Sequence, residues 1–246
     1  MNTKVIIKYD GSAYNGWQNQ SGQNDTITIE EVVEAAISKI NRQPSKIIAS
    51  GRTDSGVHAL AQVFNFENAG FIPTSRLAYA LNNLLPSDIE VVSVEEVADD
   101  FHARFSAKSK EYHYYLNNGQ YDLFKNKYQG HFKKPLDLNL MEQAISLLLG
   151  RHDFRNFNAT PLSVKHNQTV TIESFTMEKV DDLIVFKIVG SSFLKYMVRM
   201  LVGSVVLVGA GELPLATIED LLNNRTSNRS AYKIMANGLY LVKVNY

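Results

Sequence analysis

Cysteine is absent from these 246 residues, which excludes disulfides and thiolate metal sites and fits a reducing compartment. Long hydrophobic runs are absent as well. The longest apolar region, Met197–Gly211, is too short to span a bilayer and is interrupted by Arg199. The opening residues, MNTKVIIKYDG, lack the apolar core and small-residue cleavage site of a signal peptide. There is no charge excess either: 25 Lys and Arg face 25 Asp and Glu, without the basic surplus of a typical nucleic-acid binder. No Walker-type loop occurs, and Gly209-Ala210-Gly211 follows a helical pattern and reads as its stop. What remains is 45% apolar and 20% charged, the expectation for a cytoplasmic, soluble chain with one large core or two small ones.

Charge is nevertheless unevenly placed. Pro86–Phe101 carries Asp88, Glu90, Glu95, Glu96, Asp99 and Asp100 without a Lys or Arg, whereas Arg104–Lys134 carries seven basic residues. Such blocks suit either a surface polarised toward a polyanion or ordinary solvated faces.

Periodicity predicts a strand over Thr3–Asp10, a polar loop over Gly11–Asp25, and a helix over Ile29–Asn41 behind a Thr28/Glu31 capping box. A short strand (Ser45–Ser50), a strand (Val57–Glu67), a helix from Pro73-Thr74 to Asn83 and a β-rich run (Ile89–Val97) follow. That order, β-α-β-β-α-β, is the ferredoxin-like unit. The second half repeats it with a strand (Glu111–Asn117), a helix (Leu138–Leu149), a hairpin (Val170–Val180 and Leu183–Gly190), helices (Phe193–Val208 and Leu215–Leu222) and a closing strand (Gly238–Asn245). The expected class is α+β: two ferredoxin-like units, residues 1–104 and 105–246, whose antiparallel sheets join into one central sheet with a cleft between them.

The densest chemistry lies in Ser50–Ala61, SGRTDSGVHALA, where Arg52, Asp54 and His58 sit around Gly51 and Gly56 between two strands. Glycine allows the positive φ of a tight turn and close approach of a ligand, so Asp54 is presented at a tip; an Asx turn serving only its own loop is the alternative. The tripeptide Asp54-Ser55-Gly56 also resembles an aspartic-protease signature, but that chemistry needs two carboxylates sharing a proton and no second such tripeptide occurs. Asp54 and His58 lack a third nearby ligand for a metal, and the other histidines are scattered. Tyr9, Tyr14 and Trp17 among Asn15, Gln18 and Asn19, and Tyr112, Tyr114 and Tyr115 after Lys108 and Lys110, suit stacking on extruded bases; alternate tyrosines facing a core is the other reading. Arg199, inside an apolar helix, needs an anion, for which Asp54 is the economical partner and Arg52 the competing cation.

SGRTDSGVHA (Ser50–Ala59) resembles the AGRTDAGVHA pattern of the tRNA pseudouridine synthase A family. So do YDGSAYNGWQ (Tyr9–Gln18), ALNNLLPSDIEV (Ala80–Val91), DDFHARFSAKSKEYHY (Asp99–Tyr114), FLKYMVRMLVGS (Phe193–Ser204) and the terminal GLYLVKVNY, in the family's order. The resemblance implies that Asp54 is the catalytic aspartate, Tyr112 the active-site tyrosine, Arg52 and Arg199 basic groups near the carboxylate, and Leu239 an apolar active-site residue. It implies an isomerase without metal or cofactor that acts on tRNA as a homodimer. Its reaction detaches a uridine from its N1–C1′ bond at positions 38–40 of the anticodon arm, turns the base and rejoins it through C5. A non-catalytic tRNA-binding relative of the same fold is the alternative. One departure stands out: Asn167-Gln168-Thr169-Val170 replaces a basic, R-T-I-like segment, which is expected to remove an RNA contact.

Overall fold

The computed structural model describes residues 1–18, 27–164, 166–225 and 232–246. In chain order the elements are β1 (Asn2–Tyr9), α1 (Ile29–Asn41), β2 (Ile48–Ala49), β3 (His58–Glu67), α2 (Thr74–Asn82), β4 (Ile89–Glu96) and β5 (Ser109–Asn117). They continue with β6 (Gly130–His131), α3 (Leu138–Leu148), β7 (Gly150–Asp153), β8 (Thr169–Val180), β9 (Leu183–Gly190), α4 (Met197–Gly209), α5 (Leu215–Leu222) and β10 (Leu239–Asn245). The class is α+β. Two compact units form, Met1–Lys108 with Tyr240–Tyr246, and Ser109–Leu239.

In the first unit, alternation in β1 turns Thr3, Val5, Ile7 and Tyr9 inward. Strand order is β4-β1-β3-β10 with β2 on β3, all antiparallel except β3–β10. Helix α1 begins where its capping box predicts: Thr28 Oγ1 accepts from Glu31 N–H, and Glu31 Oε2 accepts from Thr28 N–H at 3.1 Å. Its Ile29, Val33, Ala36, Ile37 and Ile40 are buried, each large side chain contributing about 1.5–3 kcal/mol. Half of the acidic run, Glu90, Glu95 and Glu96, lies on β4. Glu95 and Glu90 pair with Lys4 and Lys8 of β1 at 2.7 and 2.8 Å, which neutralises that part of the block.

In the second unit, β5-β9-β8-β7 form the sheet and β6 adds to β5 in parallel. The β8–β9 hairpin turns at Asp181, whose φ is 53°, and Val180 pairs with Leu183. Strands β6 and β7 are additions to the expected order; at two and four residues they show too little alternation to be seen in sequence. Helix α4 starts at Met197 rather than Phe193, because Tyr196 takes a left-handed conformation (φ 63°, ψ 3°) that no helix continues through. Among the described residues, no helix is long and apolar enough to cross a membrane.

Candidate active site

The Asp54 loop is fixed from both sides by polar groups. Ser50 N–H donates to Val63 O (2.7 Å) and its hydroxyl to Gln62 Oε1 (2.8 Å), while Gln62 Nε2 donates to Gly51 O (2.9 Å). Gln62 is buried mid-strand and acts as a splint between β3 and the incoming chain. Thr53 is held twice: its carbonyl accepts from Trp17 N–H (3.0 Å) and its hydroxyl bonds the Tyr9 hydroxyl (2.7 Å). The turn closes through main chain, Val57 N–H to Asp54 O at 3.1 Å, with Gly56 supplying φ 77° at its third position. Asp54 is therefore carried half-buried on a backbone that its own carboxylate does not have to close.

Tyr9, Tyr14 and Trp17 do not offer their faces to a ligand. All three are buried and form the floor under the loop, Trp17 tilting against Tyr9 at 6.1 Å and Phe64 at 6.4 Å. Tyr14 donates to Asp88 Oδ1 (2.7 Å), and burial, reinforced by that carboxylate, pushes its phenol pKa up. Burial likewise raises Tyr9. The stacking expectation thus fails for these rings, because the segment folds down onto Thr53 rather than out. Asn19 and the rest of that polar loop through Asp25 lie outside the described residues.

Close approach makes this floor possible. A Cβ on Gly11 would lie 2.0 Å from Val57 O, and one on Gly16, whose φ is 83°, would lie 2.7 Å from Thr53 O. Gly11→Ala must therefore displace rigid backbone at the loop's exit. The expected cost is about 1–3 kcal/mol, a melting temperature lower by about 3 to 10 °C in a thermal-denaturation scan. An unchanged melt would show that the Gly11–Val57 approach is relaxed without cost.

His58 ends the loop, buried and stacked on Tyr240 at 4.7 Å. Its Nδ1 lies 3.1 Å from both Gly11 N–H and Asp10 Oδ1. Those contacts are exclusive, since accepting the amide requires a bare nitrogen and an ion pair requires a proton there. The directional amide bond is the stronger assignment for a buried ring, and it leaves Nδ1 unavailable to a metal. Among the described residues, no three His, Asp or Glu side chains gather into a metal site.

Arg52 is exposed, and among the described residues no hydrogen bond or ion pair engages its guanidinium. The expected competition between Arg52 and Arg199 for Asp54 does not arise on the Arg52 side.

The remaining expected site residues, Tyr112, Arg199 and Leu239, belong to the second unit. On β5, Tyr112, Tyr114 and Leu116 face inward, so the alternate-tyrosine reading holds. Tyr112 is only 7% exposed and meets Phe193 edge-on at 5.1 Å. Tyr114 donates to Met235 O (3.0 Å); burial drives its pKa up, partly offset by the charge of Arg199. Arg199 is 8% exposed on the first turn of α4, its Nε donating to Ile234 O (2.8 Å) and its guanidinium 5.5 Å from the Tyr196 ring centre. Leu239 is buried at the start of β10. Gln168, expected to mark a lost RNA contact, is also buried. It donates to Thr160 O (2.9 Å) and accepts from Asn158 Nδ2 (2.7 Å), so this position faces the protein interior.

The residues that sequence reasoning missed are the positioning groups Thr53, Gln62 and Gly11. Gln62 alone carried a signal, as a polar residue inside an apolar strand.

A rigid turn offering one half-buried carboxylate can stabilise, or bond to, a cationic sugar carbon as a glycosidic bond breaks. Residues 5–106 and 144–246 match the family model described as tRNA pseudouridine synthase. The chain belongs to the tRNA pseudouridine synthase family. Proteins of that family named tRNA pseudouridine synthase A are similar along the whole chain. One from Thermoanaerobacter sp. (strain X514) is 39% identical, covering 100% of this chain and 99% of its own. One from Exiguobacterium sp. (strain ATCC BAA-1283 / AT1b) is 40% identical over 99% of this chain and 97% of its own. A solved Cbf5–Nop10–Gar1 complex aligns at 11% identity and TM-score 0.40, over 97% of this chain and 57% of that one, a likeness too slight to add to the fold. As a pseudouridine synthase of tRNA, the chain belongs among isomerases.

Proposed function

We propose that this protein converts uridine to pseudouridine at positions 38–40 of the tRNA anticodon arm, with Asp54 as the catalytic carboxylate and no cofactor. The observation that carries the proposal is the Asp54 turn, closed by Val57 N–H and braced by Thr53 and Gln62, within a chain that is similar to members of the family along its whole length. The carboxylate faces the positive charge that develops at C1′ as N1 departs. The base turns and bonds through C5, whose proton leaves while N1 gains one, so composition is unchanged.

In this reading Tyr112 bounds the space for the extruded base, edge-on to Phe193, and Leu239 excludes water there. Arg199 supports Asp54 as a cation. Arg52, exposed and unengaged, reaches outward to an RNA phosphate. The working form is a cytoplasmic homodimer.

The test is to incubate the protein with unmodified tRNA and map pseudouridine by carbodiimide-dependent reverse-transcription stops. New stops at 38–40 are expected. No stop in the anticodon arm, with binding retained, would establish the non-catalytic tRNA-binding relative instead.

A further inference from the structure

Three cations converge on one ring at the start of α4. Lys233 Nζ lies 3.8 Å from the centre of the Tyr196 ring, Lys195 Nζ lies 5.1 Å from it, and the Arg199 guanidinium carbon lies 5.5 Å from it. A tyrosine face attracts a single ammonium by only about 0.5–1 kcal/mol at an exposed site, whereas neighbouring ammonium groups repel one another. Lys195 and Lys233 are both exposed, and among the described residues neither meets a carboxylate. Two solvated lysines with nothing to hold them would spread apart.

The backbone keeps them together. Ala159 N–H donates to Lys195 O (3.0 Å), and Lys195 N–H reaches Thr160 Oγ1 (3.4 Å). On the other side, Ile234 N–H donates to Arg199 O (3.3 Å) while Arg199 Nε donates back to Ile234 O (2.8 Å), which fixes Lys233 beside the same helix turn. Tyr196 itself sits at φ 63°, a conformation that costs a bulky residue about 1–3 kcal/mol. Segments around residues 159, 195 and 233 are thus clamped so that a strained aromatic and two unneutralised ammonium groups share one place.

We propose that Lys195, Lys233 and Tyr196 form a phosphate-binding site that takes a backbone phosphodiester of the tRNA. The two ammonium groups give charge-assisted hydrogen bonds to its oxygens, and the tyrosine ring is the platform that spaces them. Lys233 Nζ covers a face of the ring at 3.8 Å, where it competes with a stacked base, and the paired ammonium groups suit the RNA backbone rather than a base edge. The site also answers the zero net charge of the chain: affinity for a polyanion comes from a local concentration of charge. It rests on the tRNA-modifying reading given above.

The experiment measures the dissociation constant of the full chain for an unmodified tRNA transcript between about 50 and 200 mM salt. Lys195→Gln/Lys233→Gln is compared with Lys195→Arg/Lys233→Arg and with Lys179→Gln, an exposed lysine elsewhere. Each phosphate contact contributes about 0.7–0.9 to the slope of log affinity against log salt. The double Gln variant is expected to lose about 1 to 2 from that slope and to bind about 10-fold more weakly at low salt, with an unchanged thermal melt. The double Arg variant keeps the wild-type slope, and so does Lys179→Gln. A double Gln variant with wild-type slope and affinity overturns the site, as does an equal loss in Lys179→Gln. Pseudouridine mapping on the wild type separates this from the functional reading. Stops with an unaltered slope sink the site alone, whereas a lowered slope without stops sinks the enzyme and leaves the site.

Discussion

Asp54→Asn is expected to abolish turnover, by at least about 10³-fold, while affinity for tRNA stays within about threefold. The substitution keeps shape and removes only charge. The turn itself is closed through main chain, since Val57 N–H bonds the Asp54 carbonyl and Thr53 is held by Tyr9 and Trp17 N–H. The loop should keep its form. On the proposed mechanism, what disappears is the anion that stabilises a cationic sugar carbon, and water cannot replace a group fixed before the reaction begins. Pseudouridine formed under single-turnover conditions, measured beside a filter-binding isotherm, separates the outcomes. Equal losses of binding and turnover would mean that Asp54 holds the loop rather than performs chemistry.

How much of this was legible from sequence differs by element. Helix α1 announces itself through Thr28 and Glu31, because a capping box is local chemistry. The β8–β9 hairpin is equally local, with two apolar runs meeting at Asp181-Asp182. The family pattern at Ser50–Ala59 pointed to Asp54 directly. The floor beneath it was not visible. A run of Tyr, Asn, Gly and Trp has the composition of an exposed recognition loop, and only the bonds from Trp17 to Thr53 and from Ser55 to Tyr14 O, across more than thirty residues, reverse that. Tyr112 and Tyr196 teach the same lesson in opposite directions. Tyr112 has the pattern of a stacking face and is packed on Phe193; Tyr196 has the pattern of one more helical residue and instead breaks the helix and gathers cations. Long-range packing is absent from any local pattern, and it decides which aromatic is floor and which is platform.

Arg199→Leu is expected to damage activity far more than fold. The variant removes the donor from Nε to Ile234 O, and a buried carbonyl left without its partner costs about 1–3 kcal/mol. For a chain of this length that lowers the melting temperature by about 3 to 10 °C, which a stable domain survives. If Arg199 serves Asp54 in the reaction, the rate loss should exceed about 100-fold, because the charge that favours an ionised carboxylate is gone. Arg199→Lys restores charge without the guanidinium's planar fork and should recover part of the rate while the melt stays depressed, because an ammonium does not reproduce the Nε geometry. A stability cycle with Asp54→Asn adds a further criterion: coupled residues depart from additivity by more than about 0.5 kcal/mol, independent ones do not. A collapsed melting temperature with residual activity, together with strict additivity, would make Arg199 only the clamp that ties Ile234 to α4.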